Sequence, residues 1–78
     1  MKVGVKIMPR EVVLDTQGRA VEKVLKQHGR EVLSCRVGRY VTLDLKEETK
    51  EEALTRAADL AEFALHNPLI EQYELEVL

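Results

Sequence analysis

From Leu33 to Leu45 every odd-numbered residue except Arg39 is apolar: Leu33, Cys35, Val37, Val41, Leu43 and Leu45. Most of the even positions between them are polar, among them Ser34, Arg36, Thr42 and Asp44. A period of two is the mark of a strand with one buried face. The parity runs unbroken through Gly38-Arg39, and that restricts the fold. A two-residue hairpin turn at Gly38 and Arg39 would oppose Val37 to Tyr40 and Cys35 to Thr42, sending the two apolar sets to opposite faces. Two arrangements keep the sets together: one long strand bent at Gly38, or a hairpin with a three-residue loop. Gly38 is the only turn-favouring residue of the region, Tyr40 prefers strands, and glycine inside a strand commonly marks a bend. The bent strand is therefore the preferred reading. Such a strand is too long for one small sheet, so its halves would serve two packed layers that a second copy completes. The expected assembly is an intertwined homodimer.

The rest of the chain supplies the other elements of one domain over residues 1–78. Val3, Val5 and Ile7 alternate with Lys2, Gly4 and Lys6 in a first strand that Pro9 ends, because proline cannot donate to a ladder. Residues 10–14 form a connection that closes on apolar Val12, Val13 and Leu14. Asp15 is a good N-cap for a helix whose Ala20, Val21, Val24 and Leu25 share one face, with Gly29 placed for a left-handed C-cap. Gly18 is costly in a first turn and marks either a close backbone approach or a tolerated defect. Thr49 with Glu52 forms a capping box before a second helix rich in alanine, which Asn67-Pro68 terminates. Tyr73, Leu75 and Val77 then alternate through a last strand. The order β-α-β(β)-α-β is α+β and related to the ferredoxin-like two-layer sandwich, with first and last strands as antiparallel neighbours. Lys2 and Lys6 would then face Glu74 and Glu76, a pairing that informs register more than stability.

Length explains why a partner is expected. A chain of 78 residues buries only about 60–65 % of its unfolded surface. Its single cysteine cannot form a disulfide within a monomer, and two tyrosines, one phenylalanine and no tryptophan make a thin core. Association is the remaining source of stability, as a dimer or a dimer of dimers. Cys35 reads as a small buried hydrophobe suited to a reducing compartment. With no signal-peptide pattern and no long apolar run, the expected location is cytoplasmic. A net charge of −2 gives no reason to expect nucleic acid or an anionic membrane as partner. Single-stranded RNA is further disfavoured because only Tyr40 offers a stacking surface on the strands.

No catalytic constellation emerges. His28 and His66 each stand at a predicted helix end, where a cation complements the dipole. Glu47, Glu48, Glu51 and Glu52 flank a helix start, again a favourable dipole placement and not a metal site. Ser34 and Thr42 have no base near them in sequence, and no dinucleotide fingerprint, P-loop or CxxC motif occurs. Gly38-Arg39 is too short for a phosphate loop, although an arginine at a sheet bend can hold a carboxylate or phosphate. No cofactor or metal is expected on the chain.

Three blocks carry a resemblance to a known family. Val13-Leu14-Asp15-Thr16-Gln17-Gly18-Arg19-Ala20-Val21 resembles the entry to the first helix of PurS, the small subunit of phosphoribosylformylglycinamidine (FGAM) synthase. Val37-Gly38-Arg39-Tyr40-Val41-Thr42-Leu43 resembles that family's central-strand block, and Asn67-Pro68-Leu69-Ile70-Glu71-Gln72-Tyr73-Glu74-Leu75 its closing segment. The blocks follow in family order and span essentially the whole chain. Thr16 departs from the proline usual there, which softens the helix start by removing a preset φ. The resemblance implies a non-catalytic subunit in the fourth step of de novo purine synthesis. It would bridge a glutaminase and a synthetase, with ATP and magnesium on the synthetase, and support ammonia transfer between them. The chain would thus be part of an ATP-dependent, glutamine-using C–N ligase complex without catalytic residues of its own.

A regulatory domain of ACT type shares the element order and is the alternative. Such sites want glycine in the loop after the first strand, and residues 9–14 contain none. The expected subunit contacts are Gly38, Arg39 and Tyr40 at the bend, with Asn67 and Pro68 at the end of the last helix.

Overall fold

The computed structural model describes residues 1–11 and 14–78. Part of the expected connection over 10–14 therefore lies outside the described residues, at Val12 and Val13. The elements in chain order are β1 (Lys2–Pro9), α1 (Thr16–Gln27), β2 (Arg39–Asp44), α2 (Lys50–Leu60) and β3 (Glu71–Val77). A single π-helical turn, Ala61–Leu65, continues α2. The three strands form one antiparallel sheet in the order β2-β1-β3. This is the split-βαβ arrangement with the first and last strands adjacent, as expected.

The core lies between one face of this sheet and α2. Val3, Val5 and Ile7 of β1 are completely buried, as are Ala53, Ala57 and Ala61. Those alanines recur every four residues, so they form a stripe that lets the helix approach the central strand closely. Leu43, Leu75, Val41 and Tyr73 close the layer from the neighbouring strands, with Leu54 and Leu65 closing it from the helix side. Full burial of each large β1 side chain contributes about 1.5–3 kcal/mol. Thr49 caps α2 by accepting from the Glu52 N–H at 3.3 Å, with Glu51 and Glu52 complementing the dipole in the first turn.

The long strand expected over 33–45 is realised only over its second half. Arg39–Asp44 pairs with β1 from Ile7↔Arg39 to Lys2↔Asp44, whereas among the described residues 30–38 pair with no strand. The three-residue hairpin does not form. Among the described residues the sheet thus has three strands where four were possible, and the outer edge of β2 has no neighbour. The chain leaves β1 at Pro9 and enters β2 at Arg39, the same end of the sheet, and α1 and the arm over 30–38 connect those two points. The molecule extends 47 × 25 × 15 Å, and its radius of gyration is 15.5 Å. A compact chain of this length would have ~12 Å.

In α1 only Gly18 is buried, while Val21 and Val24 are exposed. The helix ends in a Schellman motif. The Arg30 N–H donates to the Leu25 carbonyl at 2.8 Å, the Gly29 N–H donates to Lys26 at 3.1 Å, and Gly29 takes the left-handed φ of +73°. Leu33, expected to be on a buried face, is fully exposed.

Candidate functional site

The end of the sheet at Pro9 gathers Gly38, Arg39, Asn67 and Pro68. Arg39 shares the inward parity of Val41 and Leu43, but stands opposite Ile7 where the helix layer ends. Its Nη2 donates to the Leu65 carbonyl at 3.0 Å and to both Glu71 carboxylate oxygens, at 2.8 and 3.0 Å. Glu71 Oε1 also accepts the Asn67 N–H at 2.8 Å. Asn67 Oδ1 accepts from the Leu69 N–H at 3.0 Å, and its carbonyl accepts from Ile70 and Glu71. This is an Asx turn, the local chemistry that asparagine before proline favours. Arg10 completes the arrangement, donating from Nε and Nη2 to the Pro68 carbonyl at 3.2 and 3.0 Å. Three segments distant in sequence are thereby tied into one polar rim.

Gly38 fits where it does because it lacks a side chain. A Cβ there would collide with the Ile7 carbonyl and the Met8 sulfur. Arg36, just before it, donates to the Pro9 carbonyl. Tyr40 is separate from this rim. It lies on the opposite sheet face, across Gly4, where a Cβ would strike its ring and hydroxyl, and it donates to Glu76 of β3. That hydrogen bond to a carboxylate holds the Tyr40 phenol above its ordinary pKa. Register places Lys6 opposite Glu74 as expected, but Lys2 opposite Asp44, leaving Glu76 to Tyr40.

The second helix stops just ahead of Asn67-Pro68, as expected, but through a π turn. In the π turn Ala61 is buried and Ala64 is exposed, and Phe63 points into solvent. His66 stands edge-to-face on Tyr73, ring centroids 4.7 Å apart, and its Nδ1 donates to the Ala61 carbonyl at 2.8 Å. A carbonyl only accepts, so the geometry assigns the proton to Nδ1. Tyr73 donates to Glu62 at 2.9 Å, and burial followed by that carboxylate raises its pKa. His66 thus closes the helix end through a hydrogen bond to one of its terminal carbonyls. Glu47 of the acidic run lies 3.8 Å from Arg56. Among the described residues, no group of three or more His, Cys, Asp or Glu side chains is placed to hold a metal ion.

Two residues that organise this region have long-range roles that pattern reading does not reach. Glu71 sits at an inward strand position where an apolar residue is usual, and the only hint of its role is the odd parity it shares with Tyr73. Asp15 reads as a helix cap, which it is, but it also accepts from the Val37 N–H across the arm. The two N–H bonds, with Arg36 nearby, hold its carboxyl below the usual carboxylate range.

Fold and surface together define a small α+β domain that offers an open sheet edge, an exposed apolar helix and a polar rim. The family model described as PurS, phosphoribosylformylglycinamidine (FGAM) synthase, matches residues 2–78. The PurS subunit of that synthase from Thermotoga maritima is 32% identical over 78 residues, covering 99% of this chain and 95% of the relative. The solved structure of Thermus thermophilus PurS superposes with a TM-score of 0.85 at 35% identity, covering 99% and 95% of the two chains. A chain of the structure described as PurLQS from Thermotoga maritima superposes at 0.90 with 31% identity, covering 99% and 95%. The chain belongs to the PurS family. The ACT-type alternative is not favoured.

Proposed function

We propose that the chain is the small, non-catalytic subunit of a split FGAM synthase, docking the glutaminase to the ATP-dependent synthetase and supporting ammonia transfer between them. The observation that carries this is the end-to-end likeness to a chain of the Thermotoga maritima PurLQS structure. ATP and magnesium belong to the synthetase in this reading, and the site of action is the cytoplasm. No helix of the described residues is long and apolar enough to cross a membrane. The physical need is plain. Free ammonia diffuses away or is protonated in water, so the two active sites must be held in fixed relation.

Self-association is the second part of the reading. An exposed α1 stripe, a fully exposed Leu33 and the open edge of β2 are features that a second copy can cover. The arm of one protomer would extend the sheet of the other, so that the two halves of the Leu33–Leu45 run serve two layers. Gly38, Arg39, Asn67 and Pro68 on the rim, and Tyr40 on the outer face, are the proposed subunit contacts.

Reconstitution tests the bridging role: glutaminase and synthetase subunits are mixed with and without this chain, and glutamine-dependent turnover is assayed. Turnover is expected to depend on the chain, and equal rates in both mixtures would refute the proposal. Sedimentation of the pure chain at micromolar concentration tests the dimer, which a folded monomer would exclude.

A further inference from the structure

The arm over 30–38 is held by polar bonds, and one side chain makes the decisive pair. Asp15 Oδ1 accepts from the Gly18 N–H at 2.8 Å, and Oδ2 accepts from the Val37 N–H at 2.8 Å. The first bond closes the N-terminus of α1, and the second grips the arm from a position 22 residues away. Gly18 permits the fit, since a Cβ at that position would meet both the Cys35 carbonyl and the Asp15 carboxylate. Gly18 is also the one buried residue of α1, although the apolar residues of that helix are not. Gly18 thus marks a close backbone approach and not a tolerated defect. Immediately beyond, Arg36 fastens the arm to the Pro9 carbonyl at the end of β1.

We infer that Asp15 is a positioning residue, a latch that joins α1 and the arm into one rigid unit before any partner arrives. The inference rests on reading this chain as an association module. A latched arm meets its partner already ordered, whereas a loose arm is competent for only a fraction of the time and binds more weakly by that fraction. Neither an N-cap alone nor the bend alone would do this. A plain cap needs one acceptor, and here both carboxylate oxygens are used, one on each side of the junction. Asparagine would turn an amide N–H toward one of two N–H donors, and serine would cap the helix without reaching Val37.

The charge environment fits a carboxylate. Arg36 is the cation that acts on it. Arg19, Glu11, Lys23, Lys26 and Glu22, which also bonds the arm at Cys35, line the cleft on the α1 side, and Arg39 and Glu71 line that on the sheet side. Because the folded carboxyl titrates below its ordinary value, the latch holds above that value and is lost as pH falls through the lowered one.

Amide exchange in the full chain tests the latch directly, with Asp15→Ser and Asp15→Asn as variants. In Asp15→Ser the Gly18 amide stays protected, while Val37 exchange accelerates by about tenfold or more, the loss of one hydrogen bond to a charged acceptor. Asp15→Asn raises Val37 or Gly18 exchange similarly, and self-association in sedimentation weakens in both. Protection of Val37 falls in the parent as pH drops below the ordinary carboxylate range, and falls less in both variants, where only Glu22 still bonds the arm at Cys35. Unchanged Val37 protection in both variants overturns the latch. A parent chain that stays monomeric refutes the association reading instead, and Val37 exchange still decides the latch.

Discussion

Two halves of this small molecule are stabilised by different physics. The body, β1, β3, β2 and α2, buries six side chains completely and is held by apolar contact. The projection, α1 and the arm, buries one glycine and is held by a carboxylate, a guanidinium and a helix cap. A region with so little buried apolar surface opens locally at low free energy unless something covers it. The contrast teaches where the stability of the chain resides. The body is a two-layer unit with a buried core, and the projection presents its apolar side chains, Val21, Val24 and Leu33, to solvent.

Substitutions sharpen that contrast, the largest effect first. Ile7→Ala removes a completely buried side chain from the centre of the body, and should cost about 2–5 kcal/mol in denaturant unfolding. An effect well under 1 kcal/mol would mean that the body core is not where the stability resides. Gly29→Ala acts on the projection alone. Nothing lies within 4 Å of a Cβ there, so only the φ of +73° resists the change. The expected cost is about 1 kcal/mol, read as faster amide exchange in the last turn of α1 while the sheet amides are unmoved. Val24→Asp should alter body stability least, by roughly ±0.5 kcal/mol at saturating dimer dissociation. Its effect belongs to sedimentation, where the dimer should be lost because a charge enters the exposed apolar stripe. A dimer of unchanged strength would show that α1 faces solvent in the assembly.

The elements with strong local signals were legible from residue order alone. Alternation marked β1 and β3, Thr49 and Asp15 were recognisable caps, and Gly29 was recognisable as a left-handed stop. Parity in the run from Leu33 to Leu45 excluded the tight hairpin, because that geometry depends only on counting residues. The absence of a neighbour for 33–38 was not legible, since the alternation of a strand is the same whether its partner belongs to the same chain or another. The π turn was equally hidden. Helical spacing alone does not distinguish a π turn from an α-helix, and the packing of the C-cap His66 on Tyr73 of β3 is a tertiary contact without a local signal. Of the residues expected at contacts, Gly38, Arg39, Asn67 and Pro68 converge on one rim and Tyr40 does not. Strand parity alone separates Arg39 from Tyr40, yet nothing in sequence pairs Arg39 with Glu71.

Sequence by itself determined the order of elements, the buried face of each strand and the survival of one parity through Gly38-Arg39. Local sterics and hydrophobic period decide those matters, and both act over a few residues. Only the tertiary structure decided that α1 and the arm leave the sheet from one end, that Arg39 closes the rim instead of the core, and that Asp15 serves the arm as well as the helix. Each of those depends on hydrogen-bond partners more than twenty residues apart, and no local pattern encodes such a meeting.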